Sequence, residues 1–196
     1  MLHSHLTTLN AVSLVLNTFK GLPHEALLAG SGICAADLSR ADTRITTNQE
    51  MRVCANAVAL RRDVGLELGA QMHVSAYGML GYALLTSATF GDALRLALRY
   101  PALLGTLFEL SLEEDGERIW FTAGDYRENP SLEMFNVELC LASLKVICDD
   151  LLGQPLPLLA ARFEHDAPDY RMRYAERFPC TLQFQATANA FAFDKH

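Results

Sequence analysis

The first apolar stripe in the chain consists of Leu6, Leu9, Val12, Leu16 and Phe19, which recur at intervals of three and four and predict a helix over 6–19, ended by Lys20-Gly21. A short helix follows from Pro23. The stretch "PHEALLAGSGICAADLSRA" has the outline of a helix-turn-helix. However, Ile33, Ala35, Ala36, Asp37 and Leu38 offer almost nothing that could reach a phosphate or a base edge, so it reads as a short helix, a glycine-containing turn and another short helix, not a DNA-recognition unit. "TNQEMRVCANAVAL" predicts a capped helix over 47–60 with Met51, Cys54, Val58 and Ala55 turned inward, and residues 63–70 add a further turn or two. Two more helices are expected over 75–86 and 89–100, the second opened by Thr89 as N-cap with Asp92 at its third position.

After Pro101 the period changes. In "LFELSLEEDGERIWFTA", Phe108, Leu110 and Leu112 alternate with Glu109 and Ser111, and Asp115-Gly116 supplies a turn, which is a β-hairpin. "SLEMFNVELCLASLKVICDDLLG" lies between Pro130 and Gly153 and predicts a long helix over 131–153, apolar around most of its circumference and therefore sandwiched. A strand over 158–164, a short helix over 168–177 and a second hairpin in "CTLQFQATANAFAF" complete the chain. The expected fold is α+β: an N-terminal helical layer, a small antiparallel sheet of about four or five strands, and a long central helix. A single domain over 1–196 is expected, with a helical N-terminal segment (1–45), further helices (46–104), and the sheet with the long helix (105–196).

Composition narrows the class. With 196 residues, 51% of them hydrophobic, the chain can bury one sizeable core. The apolar run Val74–Leu85 falls well short of the roughly 20 residues that cross a bilayer, so no membrane hairpin is expected. The N-terminus has neither the basic start nor the cleavage site of a secretory signal, and the five cysteines form no CxxC pair. A cytoplasmic protein without structural zinc or another cofactor is expected. Its net charge of −7 opposes tight binding of DNA by this chain alone.

No GxSxG, P-loop, GxGxxG or HExxH occurs, so catalysis has no visible machinery and no enzyme is expected. His3 and His5 belong to the terminal tail, and His165 in "FEHDAP" reads as a histidine that ends a strand and bonds backbone. Tyr77, Tyr82 and Tyr100 can serve as core filler or as pocket-lining donors. Gly78, Gly81 and Ala83 beside them allow close approach, and Asn136 and Glu138 interrupt an apolar helix, which together favour a pocket. A buried Glu138 needs a partner. Arg95 and Arg99, one helical turn apart, are candidates for it or for a ligand anion. The candidate ligand-binding set is thus Tyr77, Tyr82, Arg95, Arg99, Tyr100, Asn136 and Glu138, with no catalytic or metal site.

"HVSAYGMLGYALLTSATFGDALRLALRY", "FELSLEEDGERIWF" and "RFEHDAPDYRMRYAERFPCTLQFQATANAFAFD" together resemble, over residues 20 to 194, the N-terminal effector domain of AraC/XylS-type bacterial transcription regulators, in the branch that includes regulators of ornithine and arginine metabolism. The resemblance implies one domain of a longer regulator, with DNA bound only through a separate C-terminal helix-turn-helix domain. It also implies homodimerisation and a small-molecule effector: an amino acid, a related metabolite or an organic acid. The family's namesake carries a sugar-binding β-barrel, which this helix-rich order does not match, so arabinose is not carried over. The order of elements is also similar to that of haem-nitric-oxide sensors, in which a histidine on the helix before the first hairpin ligates iron. "TFGDALRLALRY" has none, so no haem is expected. Two other functions stay open: a dimerisation module with a filled core, and a small enzyme, which would need a histidine-carboxylate or cysteine-histidine pair in a deep cleft.

Overall fold

The computed structural model describes residues 6–8, 10–40 and 43–195. The chain divides into two compact units, one ending at Val64 and one beginning at Gly65. That break falls inside the stretch expected as one run of helices over 46–104.

The first unit holds β1 (Leu6–Thr8), α1 (Asn10–Thr18), α2 (His24–Leu28), α3 (Ala35–Leu38), β2 (Arg44–Thr46) and α4 (Thr47–Leu60). The expected helix over 6–19 is shorter by one strand, because Leu6–Thr8 pair antiparallel with Arg44–Thr46. Three residues are too few for alternation to show. Val12, Leu16 and Phe19 are buried as the stripe requires, whereas Leu9, His3 and His5 lie outside the described residues. A capping box starts α4: Thr46 Oγ1 accepts from the Gln49 N–H at 3.3 Å, and Gln49 Oε1 accepts from the Thr46 N–H at 3.0 Å. Its buried side is Val53, Cys54 and Ala57, not Met51, Ala55 and Val58, which are only half-buried. Asn56 settles that rotation by donating to the carbonyls of Leu27 (2.9 Å) and Ala29 (2.7 Å) at the end of α2. The helix-turn-helix outline resolves into helices of five and four residues joined by a turn that holds Gly30 and Gly32.

After α5 (Val64–Gly69), whose first residue ends the first unit, the chain continues with a single turn at Val74–Tyr77, α6 (Gly78–Leu85), α7 (Phe90–Arg99) and α8 (Pro101–Leu104). The helix expected over 75–86 is broken at Gly78, whose φ of +53° no regular helix contains. Thr89 caps α7 as expected, its Oγ1 accepting from the Asp92 N–H at 3.1 Å. The first hairpin is β3 (Glu109–Asp115) with β4 (Arg118–Gly124), and the long helix is α9 (Glu133–Leu152), which buries twelve of its twenty residues. Gly65 and Gly69, one turn apart, let the chain lie directly on α9. A Cβ on Gly65 would sit 2.5 Å from the Phe135 carbonyl, and one on Gly69 2.6 Å from the Ala142 Cβ.

β5 (Leu158–Arg162), α10 (Arg171–Arg177), β6 (Thr181–Gln183) and β7 (Asn189–Asp194) end the chain, and the five-stranded sheet runs β3-β4-β7-β5-β6. The sheet is mostly antiparallel, with one parallel pair, β5 with β6. The second hairpin does not form: β5 stands between β6 and β7. Ala190, Phe191, Ala192 and Phe193 are all buried, so β7 needs cover on both faces and takes a central position, whereas Thr181 and Gln183 are exposed and suit an edge. One face of the sheet presents Phe121, Ala123, Phe191 and Phe193 to the core shared with Val137, Leu141 and Leu144 of α9. The other carries Trp120, Ala160, Ala190 and Ala192, with the Arg162 guanidinium 3.9 Å above the Trp120 ring. Among the described residues, no helix is long and apolar enough to cross a membrane.

Candidate functional site

A groove of about 800 Å³ opens between α7 and the sheet. Its apolar surface comes from Phe90, Leu94 and Leu98 of α7, Leu112 and Ile119 of the hairpin, and Phe193 of β7. Gly91 leaves room at the helix end. Leu152 at the end of α9 and Leu156 and Pro157 of the following loop close it, and that loop is tied down by Asp149, which accepts from the Leu156 N–H at 2.7 Å and pairs with Lys145 at 2.6 Å. The mouth carries both signs of charge: Arg95 and Lys195 against Glu114 and Asp194. Arg95 pairs with Asp92 at 2.6 Å, and Lys195 pairs with Glu114. Lys195, with a smaller contribution from Arg95, holds the Glu114 carboxyl below its usual range, so these charges feel one another around the mouth. An apolar trough of this size with a few charged groups at its rim is the usual form of a small-molecule site.

A second cluster lies deeper, on α9. Glu138 is fully buried, and its Oε1 accepts from the hydroxyls of Tyr170 (2.8 Å) and Tyr174 (2.5 Å). The Tyr174 oxygen lies 3.1 Å from His165 Nε2, while His165 Nδ1 lies 2.8 Å from the Asp166 carbonyl. Burial lowers the His165 pKa. Burial, followed by the Glu138 charge, raises that of Tyr174, so the phenol stays a donor. Phe163 and Phe184 wrap the pair, with Phe163 edge-on to Tyr174 at 4.8 Å. A smaller cavity of about 310 Å³ borders His165 between Glu133, Met134 and Val137 on one side and Glu164 and Asn189 on the other. Glu164 and Asn189 bond each other: the Asn189 amide donates to Glu164 Oε2 at 2.6 Å, and Asn189 Oδ1 accepts from the Glu164 N–H at 3.0 Å. Such a network organises a core end.

Residues 21–196 match the family described as the arabinose-binding domain of AraC transcription regulators, N-terminal. The chain belongs to that family. It is 35% identical over 136 residues to the ornithine utilization regulator of Pseudomonas aeruginosa, which is 69% of this chain and 40% of that protein. Over 101 residues it is 27% identical to an uncharacterized HTH-type transcriptional regulator of Mycobacterium bovis, 50% of this chain and 29% of the other. The chain thus spans less than half the length of these curated relatives. The crystal structure of the transcriptional regulator CdpR from Pseudomonas aeruginosa shares the fold, with a TM-score of 0.60 over 94% of this chain and 54% of that one at 19% identity. The family and these relatives are transcription regulators, not enzymes.

In this AraC-type domain the seven candidate ligand residues do not converge. Arg95 borders the groove. Tyr77 is half-buried beside Ser143, and burial pushes its phenol up to about 12. Tyr82 and Tyr100 are 66% and 44% exposed. Arg99 lies with its guanidinium 5.9 Å from the Tyr100 ring. Asn136 is buried and donates to the Leu132 carbonyl and to the Tyr126 hydroxyl, both at 2.9 Å, which fixes the start of α9. The pairing of Glu138 with Arg95 or Arg99 is corrected: Arg95 holds Asp92, and tyrosine hydroxyls satisfy Glu138 Oε1, because α9 turns that residue toward α10 rather than α7. Sequence reasoning missed Tyr170 and Tyr174, although their spacing of four places them on one side of a helix start. It also missed the groove residues of the hairpin and β7, whose alternation signals only a buried face. The buried thiols of Cys54 and Cys140 are pushed up to about 12 by burial, so they carry no nucleophilic charge at neutral pH.

Proposed function

We propose that this chain is the effector-sensing and dimerisation part of a bacterial transcription regulator, and that a small metabolite binds in the groove between α7 and the sheet. The groove carries the proposal: it joins a helix, a hairpin, the end of β7 and the loop after α9, so a ligand seated there touches four segments at once. A ligand that fits one arrangement of those segments better than another shifts the balance between them, and an attached DNA-binding part reads the shift. DNA contact is assigned to that other part, since a chain of net charge −7 opposes phosphate.

The mouth suits a ligand with a carboxylate for Arg95 and Lys195, and equally one that adds an ammonium for Glu114 and Asp194, while the floor takes an aliphatic or aromatic body. Amino acids, their catabolites and related organic acids have that chemistry. Ornithine, named for one relative, belongs to the class.

A thermal-shift screen of amino acids, their catabolites and aliphatic or aromatic carboxylates tests this. A ligand at 100 times its dissociation constant stabilises the native state by roughly 2.7 kcal/mol, and each kcal/mol is worth about 2–4 °C in a domain of this size, so the effector is expected to raise the melting temperature by roughly 5–10 °C. The absence of any compound that raises it would overturn ligand sensing and leave a dimerisation module.

A further inference from the structure

We infer that the outward face of α6 is where a second copy of this chain docks, an assignment that rests on the dimerisation proposed above. α6 turns Leu80, Gly81 and Leu84 into the core and leaves Met79, Tyr82 and Leu85 exposed by 82%, 66% and 52%. Gly78 and Thr86 complete the same arc and are exposed as well. From Val74 to Gly91, eighteen consecutive residues, the chain carries no charged side chain. A helix that faces water permanently bears polar and charged groups on its outer side. α7, packed on α6, does this with Asp92, Arg95 and Arg99, so the bare face of α6 is a property of that helix rather than of the layer.

The charge pattern selects the occupant. A nucleic acid would require cations on the patch, and a helix that lies on an anionic membrane would carry lysine or arginine along its own polar face. The span has neither. Two copies, each of net charge −7, repel across most of their surfaces and can close without opposing like charges where the surface is uncharged. A two-fold interface sets the same patch against itself, and an uncharged patch is complementary to its own copy. A stable interface takes about 800 Å² and some 20–30 residues a side, more than an eight-residue helix supplies. α6 is therefore the apolar centre, with the exposed Ser75, Ala76, Thr86 and Ala88 around it. Tyr82, in the middle of the arc, is of the residue type that dominates such centres.

Light scattering on the purified 196-residue chain at about 50 micromolar, with variants Met79→Glu and Tyr82→Glu, tests the assignment. Both positions are exposed, so the variants are expected to melt as cooperatively as the parent. Met172→Glu, at an apolar site 69% exposed on α10, is the control. The parent and the control are expected to run at twice 21.6 kDa and both α6 variants at 21.6 kDa, with a dimer dissociation constant at least 100-fold weaker. A dimer that survives both α6 variants, or one that the control breaks equally, overturns the α6 interface while leaving dimerisation standing. A parent that stays at 21.6 kDa overturns dimerisation itself, and the interface with it.

Discussion

Glu138→Ala is expected to melt roughly 6–20 °C below the parent, the largest loss among polar substitutions in this chain. The residue is fully buried and accepts from two tyrosine hydroxyls, both of which lose that acceptor in the alanine variant. Each lost acceptor costs about 1–3 kcal/mol and the cavity adds to it, giving about 3–5 kcal/mol in all, at about 2–4 °C per kcal/mol. Glu138→Gln keeps a carbonyl oxygen for both donors and is expected to lose less than a third as much. Calorimetric melting of the three proteins decides it. If the alanine variant melts within 2 or 3 °C of the parent, the carboxylate does not organise this end of the core.

Gly69→Ala and Gly91→Ala are expected to move stability in opposite directions, although both replace a glycine in a helix. Intrinsic propensity favours alanine by about 1 kcal/mol at either place. At Gly69 the added carbon would lie 2.6 Å from the Ala142 Cβ and 2.7 Å from the Leu139 carbonyl, so α9 would have to yield. Backbone does not yield cheaply, and overpacking of this kind costs about 1–3 kcal/mol or more. At Gly91 the nearest atom is the far end of Arg95 at 3.6 Å, an ordinary contact. Melting is therefore expected several degrees lower for Gly69→Ala and slightly higher for Gly91→Ala. A rise for both would mean that the chain does not lie on α9 through its glycines.

Much of this fold can be read from the sequence, because its signals are local. The Thr89 cap, the Asp115-Gly116 turn and the span between Pro130 and Gly153 each fix an element through neighbours a few residues away. The partner of a strand is not local. "CTLQFQATANAFAF" alternates as a hairpin would, yet β5 inserts between its halves because β7 needs burial on both faces. The site follows the same division. Arg95 was legible as a charge on an amphipathic helix, but the walls facing it come from Leu112, Ile119 and Phe193, which only the folded sheet brings there. In the sequence Tyr82 reads as core filler or a pocket-lining donor, and the structure leaves it 66% exposed, because which side of a helix faces out depends on what packs against it.

If the groove beside α7 holds the effector, Gly91→Trp, which fills that groove, blocks its binding. Gly91 lines the groove, and a Cβ added there meets only the flexible end of Arg95, so a side chain can start there without displacing backbone and an indole is expected to fill the groove against its apolar walls. The measurement is the melting temperature of the parent and of Gly91→Trp, each with and without the compound that gives the largest shift in the screen. The unliganded variant is expected to melt cooperatively within a few degrees of the parent, and the ligand-induced rise of roughly 5–10 °C to fall to less than a fifth of its value. An undiminished rise in a cooperatively folded Gly91→Trp protein would place the effector outside this groove.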